Sequence, residues 1–297
     1  MRGTMRWAGT LFLGTCGLSG LGVALGQKPL PPPKIASVSG PDSALATAQT
    51  WIGRALFVRG FYTANELTYD AAGVIQGTPK ASDWTLAGID IQSAMRKGPK
   101  EIELDGVRVA IRYNPDNRLF ERHSQKDAAM KILVATPPTD GTNVISQGYF
   151  DRTLAAIFSV GIDPAMQRSM PDFWRHYFDP KLPWQGDTLA GQTIYGVGSA
   201  APMSPEQMVK IASGTPPEFT PEAAHDHVQG TVVVRVVVDA KGLAQHLTVQ
   251  RPLGYGLDAK AVEALGKTKF EPAQLKGTPV PLALDLTEEF KLVTTQQ

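Results

Sequence analysis

The sequence predicts an α+β protein, with an N-terminal antiparallel β-rich curved sheet and covering helices followed by a small ββαβ module. Three observations carry this. Thr231 to Asp239 places Val232, Val234, Val236 and Val238 on one face and ends in the turn Asp239-Ala240-Lys241-Gly242. Asp105-Gly106 stands between two alternating runs, Ile102 and Leu104 before it and Val107, Val109, Ile111 and Tyr113 after it. From Ser146 the apolar spacing lengthens, with Phe150, Leu154, Ile157 and Phe158 in step. Period two with β-branched residues marks strands, and a period near 3.6 marks helices.

The elements follow in chain order. Arg2 and Arg6 precede an apolar run from Trp7 to Leu25, and Ala24-Leu25-Gly26 has the small-x-small form of a cleavage site, so residues 1–26 read as a signal peptide. A membrane anchor over residues 7–25 is the alternative, weakened by five glycines in the run. Cys16 is the single cysteine and lies inside it, leaving no disulfide framework beyond. Pro31-Pro32-Pro33 then spaces the first domain, residues 34–198.

In that domain Arg54 to Gly60, Asn65 to Tyr69 and Trp84 to Ile91 read as strands, and Asp70-Ala71-Ala72-Gly73 has the same turn form as Asp239-Ala240-Lys241-Gly242. Asp105-Gly106 predicts a two-residue hairpin setting Leu104 against Val107, with Glu101, Glu103, Arg108 and Arg112 on the solvated face. Asp163 caps a second helix with Pro164 at its first position, and Pro171 kinks or divides it. Its Met166, Met170, Phe173, Trp174 and Tyr177 stripe serves a core or lines a pocket for a hydrophobic ligand.

Residues 199–220 read as a Pro-rich linker and 221–293 as the C-terminal module. After the hairpin of Thr231–Asp239 and Leu243–Gln250, Gly254 and Gly256 break the chain and Asp258 caps a helix with Leu257, Ala261, Val262 and Leu265 on one face. The final strand is Leu282, Ala283, Leu284, Asp285, Leu286, Thr287, Glu288, Glu289 and Phe290, in which Glu288 interrupts the apolar alternation. Pro279 and Pro281 before it favour a sheet edge, which offers unpaired backbone groups to another strand.

Five motifs in order, Phe219-Thr220-Pro221-Glu222-Ala223-Ala224, Gly230-Thr231-Val232-Val233-Val234, Asp239-Ala240-Lys241-Gly242, Leu257-Asp258 with Ala261-Val262 and Ala264-Leu265, and Lys269-Phe270-Glu271-Pro272-Ala273, resemble TonB-family C-terminal domains. The resemblance covers about the last quarter of the chain. It implies a ββαβ fold whose last strand accepts an extended peptide from an envelope partner, such as a TonB-dependent outer-membrane receptor. The expected location is the periplasm, or the inner membrane if residues 7–25 are retained. Force-transmitting members are similar in having a membrane helix with a Ser/His pair and a long Pro-rich linker. Here the apolar segment lacks histidine and a folded domain takes the linker's place.

The net charge of +1 provides no nucleic-acid footprint. His225-Asp226-His227 invites a metal, yet its spacing sends the imidazoles to opposite sides of a helix. His123 and His176 lack a carboxylate pattern, and no nucleophile elbow or phosphate loop occurs. Thus no catalytic residue, cofactor or metal ligand is assigned, and the second reading is a periplasmic carrier or sensor of a hydrophobic ligand through the first domain.

Overall fold

The computed structural model describes residues 42–137, 148–198 and 207–292. The leader or anchor, residues 1–26, lies outside the described residues. Residues 40–297 cluster as one unit. In chain order its first elements are α1 (Ser43–Gln49), β1 (Leu56–Val58), β2 (Glu66–Tyr69), a 3-10 helix (Trp84–Leu86), β3 (Gly88–Lys97), β4 (Glu101–Asn114) and β5 (Leu119–Ala135). Then come α2 (Tyr149–Ile157), β6 (Phe158–Val160), α3 (Pro164–Ser169), α4 (Asp172–Phe178) and β7 (Tyr195–Gly196). The rest are β8 (Lys210–Ser213), α5 (Pro221–His225), β9 (Gly230–Val238), β10 (Ala244–Arg251), α6 (Leu257–Lys267), β11 (Lys269–Glu271), β12 (Ala273–Leu275), β13 (Thr278–Val280) and β14 (Leu282–Phe290).

The first sheet has six strands in the order β2-β5-β4-β3-β1-β6. It is antiparallel except for the edge pair β2 and β5, which runs parallel from Glu66↔Lys131 to Tyr69↔Val134. Its two faces carry separate cores. Leu56, Val58, Ile89, Ile91, Leu104 and Ile132 pack under α1 and α2 with Trp51, Phe150 and Leu154. Phe57, Val109 and Ile111 face the other way and meet Met166, Met170 and Trp174 of the α3–α4 segment, together with Val249 of the C-terminal module.

Asp105-Gly106 is not a turn. Both residues lie inside β4, with Gly106 opposite Ile91 on one side and Met130 on the other. A Cβ on Gly106 would stand 2.5 Å from the carbonyl oxygen of Asp90, so this glycine serves close strand approach beside a bulge rather than chain reversal. The reversals are at Gly98, between Lys97 and Glu101, and after Asn114. With β4 continuous, Arg108 is buried instead of solvated. Its guanidinium donates to the carbonyls of Leu86 (2.9 Å), Thr63 (2.9 Å), Ala64 (3.1 Å) and Tyr62 (3.3 Å). Glu103 is likewise buried and meets Lys97 and Lys131.

Trp84–Leu86 is a 3-10 helix, so β3 begins later than the alternation implies. Asp83 accepts from the N–H of Thr85 (2.9 Å) and from the Trp174 indole (2.5 Å), which bends the chain and clamps α4 to it. Pro171 does divide the Met-aromatic segment, into α3 capped by Asp163 and α4. The stripe is spent in packing: Trp174 is fully buried and sits edge-on to Trp84 at 5.3 Å.

The C-terminal module holds the order β10-β9-β14-β7. α6 covers one sheet face, where Val232, Val234, Val236 and Val238 meet Leu257, Ala261 and Leu265. An additional hairpin, β12–β13, turns on Lys276 and Gly277, both at positive φ. Residues 210–213, within the stretch read as linker, form β8 and pair with β11. Asp258 does not stand at the helix N-cap, which is Gly256. It sits one position inside α6, fully buried, and accepts from the N–H groups of Leu253 and Gly254, both at 2.8 Å.

The loop so held is what joins the module to the first sheet. Tyr255 donates its N–H to the Ile111 carbonyl at 2.9 Å, Tyr113 donates to the Leu253 carbonyl at 3.1 Å, and Gly256 donates to the Thr85 hydroxyl at 2.7 Å.

Candidate functional site

β14 lies beside β9 along its whole length, from Leu282↔Val238 to Phe290↔Gly230. Among the described residues its other side is covered only at the start. β7 pairs parallel with it, Leu282↔Tyr195 and Ala283↔Gly196, through Tyr195 N–H to the Pro281 carbonyl (3.1 Å) and Val197 N–H to the Ala283 carbonyl (3.0 Å). A strand residue points its N–H and C=O to one side and the next residue to the other. Since Pro281 and Ala283 face β7, Asp285, Thr287 and Glu289 face the same way. Among the described residues no strand pairs with β14 on that side beyond Ala283.

The side chains divide by the same alternation. Leu284, Leu286 and Glu288 are half-buried on the α6 face, and Leu282 and Phe290 at the ends are buried. On the opposite face Ala283 is buried while Asp285, Thr287 and Glu289 are exposed. Asp285 receives both arms of Arg235 at 2.8 and 2.9 Å, and Glu289 meets Lys291 at 2.7 Å. Among the described residues Glu288 meets no cation, and burial pushes its carboxyl above the usual range.

The segment that delivers β7 is pinned to the module. Leu189 is buried with Val237 and Ala283, and Ile194 packs beside them. Trp184 lies between two imidazoles, stacked on His176 with centroids 3.6 Å apart and on His246 at 4.4 Å. His246 also contacts Asp187 at 2.8 Å. Periodicity does not reveal β7, because two residues define no period. The traces it leaves are Trp184, Leu189 and Ile194 in an otherwise polar stretch.

The remaining histidines stand apart. His225 contacts Asp226 at 2.7 Å, and the other Asp226 oxygen accepts from the Tyr255 hydroxyl (3.0 Å) and the Gln125 amide. Among the described residues no group of three or more His, Cys, Asp or Glu is placed to hold a metal ion. No helix of the described residues is long and apolar enough to cross a membrane.

Residues 215–292 match the family described as Gram-negative bacterial TonB protein C-terminal. A solution NMR structure of the Pseudomonas aeruginosa TonB CTD is 18% identical, covering 34% of this chain and 96% of that chain at a TM-score of 0.26, a likeness too low to carry structural weight. No curated protein matches the chain.

Proposed function

Taking residues 215–292 as a TonB-family C-terminal domain, we propose that the chain is a periplasmic envelope protein that binds a partner protein by adding an extended segment of it to β14. The partner is of the outer-membrane receptor kind used in TonB-dependent transport. One observation supports this most: among the described residues, no strand neighbours the outward backbone groups of Asp285, Thr287 and Glu289. The first domain supplies β7, which closes the start of that edge, and among the described residues no strand covers the rest.

The test is an amide NMR titration with the extended peptide acetyl-Thr-Val-Thr-Val-Thr-Val-Thr-amide carrying a terminal spin label. Broadening should centre on Asp285 to Phe290. Thr287→Pro removes one outward donor from an edge position where proline is tolerated, so it should weaken binding while the spectrum stays dispersed. Broadening spread over the surface, or unchanged binding by Thr287→Pro, would refute strand addition at β14.

A further inference from the structure

We propose that the open part of β14 selects a partner segment carrying a lysine or arginine beside Glu288, flanked on the same face by apolar side chains. This rests on the strand-addition reading and adds the chemistry of what is added.

The apolar half follows from the face beside the edge. Leu284 and Leu286 are only half-buried because α6 lies over β9 and β10, so a strand added outside β14 would extend this face and cover them. The alternation of the added strand then sets every second side chain against Leu284, Leu286 and Glu288 in turn.

The basic half follows from the carboxylates. Asp285 and Glu289 already hold Arg235 and Lys291. Glu288 meets no cation among the described residues and is already half out of water. An added strand would desolvate it further, and an apolar or acidic neighbour would leave that charge uncompensated. A cation there offsets the cost, so Glu288 discriminates by excluding wrong segments as well as by attracting right ones. The raised carboxyl, with burial as its cause, agrees with a charge that lacks a partner. β7 limits the register: the segment cannot run past Ala283, which leaves Asp285 to Phe290, roughly 20 Å of strand.

Three peptides, acetyl-Thr-Val-Thr-X-Thr-Val-Thr-amide with X as Lys, Gln or Glu, would be titrated against the protein and against Glu288→Gln, following the Asp285 to Phe290 amides. The Lys peptide should bind about five- to tenfold more tightly than the Gln peptide, with the Glu peptide weakest, as for a charge-assisted contact out of full solvent. In Glu288→Gln the preference should vanish while the same amides still shift, and Glu288→Lys should invert it. Equal affinities at the same edge in the unaltered protein would overturn the basic match and leave strand addition standing. Shifts absent from Asp285 to Phe290 with every peptide would overturn both.

Discussion

The N–H of Val197 donates to the carbonyl of Ala283 across 3.0 Å, so the chain lays a strand of its own on the edge where a partner strand would sit. That contact is short, and its persistence depends on the segment behind it. Trp184, held between His176 and His246, is the largest anchor there. Trp184→Ala should therefore release β7 without unfolding the module. Hydrogen exchange at Tyr195 and Val197 is expected to speed by at least about tenfold, while the β9 and β10 amides keep their protection. Uniform loss of protection would mean that Trp184 supports the whole fold rather than the strap.

Two glycines near α6 should respond in opposite senses. Gly254 has φ +91, and a Cβ there would lie 2.1 Å from the Ile111 carbonyl oxygen, in the loop that joins the module to β4. Gly254→Ala should cost more than about 2 kcal/mol, combining backbone strain with a forced separation of that junction. Gly266 is exposed within α6 and a Cβ there meets nothing within 4 Å. Gly266→Ala should stabilise by about 0.5 to 1 kcal/mol through helix propensity. Thermal unfolding of the pair measures both.

These positions show where the sequence was readable. The hairpin of β9 and β10 was legible because Asp239 fixes its turn locally, its side chain accepting from Lys241 and Leu243. Asp70 accepts from Ala72 and Val74 in the same way, which explains why both turns read alike. Asp105-Gly106 carried an equally strong local signal and still lies mid-strand, because what requires Gly106 is the Asp90 carbonyl on another strand. The strand β14 was legible in its alternation, and Pro279 and Pro281 before it pointed to an edge. The capture of its first residues by β7 was not, since that pairing depends on tertiary anchors and not on a period.

Arg108 was assigned to solvent by alternation and is instead 2% exposed. It satisfies the carbonyls of Tyr62, Thr63, Ala64 and Leu86, and burial lowers its pKa. Arg108→Met fills much of the space but leaves those acceptors unpaired. The expected loss is about 2 to 4 kcal/mol, and Arg108→Lys, with one nitrogen in place of a fork, should recover only part of it. Denaturant midpoints at unchanged m-value would check this, and a Met variant as stable as the parent would show that the loop does not need the guanidinium.

Asp258 predicts how the junction responds to pH. The carboxyl is fully buried, and burial first, then the nearby Asp83, push it up to about 8, although the N–H groups of Leu253 and Gly254 pull the other way. A carboxyl whose folded value exceeds its unfolded value of 3.8 binds its proton more tightly in the folded state. Its ionisation therefore opposes folding. This contribution is most favourable below pH 4 and is lost progressively as pH rises through the window to about 8, with a limiting slope of about 1.4 kcal/mol per pH unit. Asp258→Asn cannot ionise, but its amide nitrogen must face one of the two N–H donors, so it should be less stable than the parent at low pH and lose less on going to pH 8. The two stability curves should converge as pH rises. Parallel curves would show that Asp258 titrates in the folded protein as it does in the unfolded chain, and that the loop holding Tyr255 against Ile111 is insensitive to its charge.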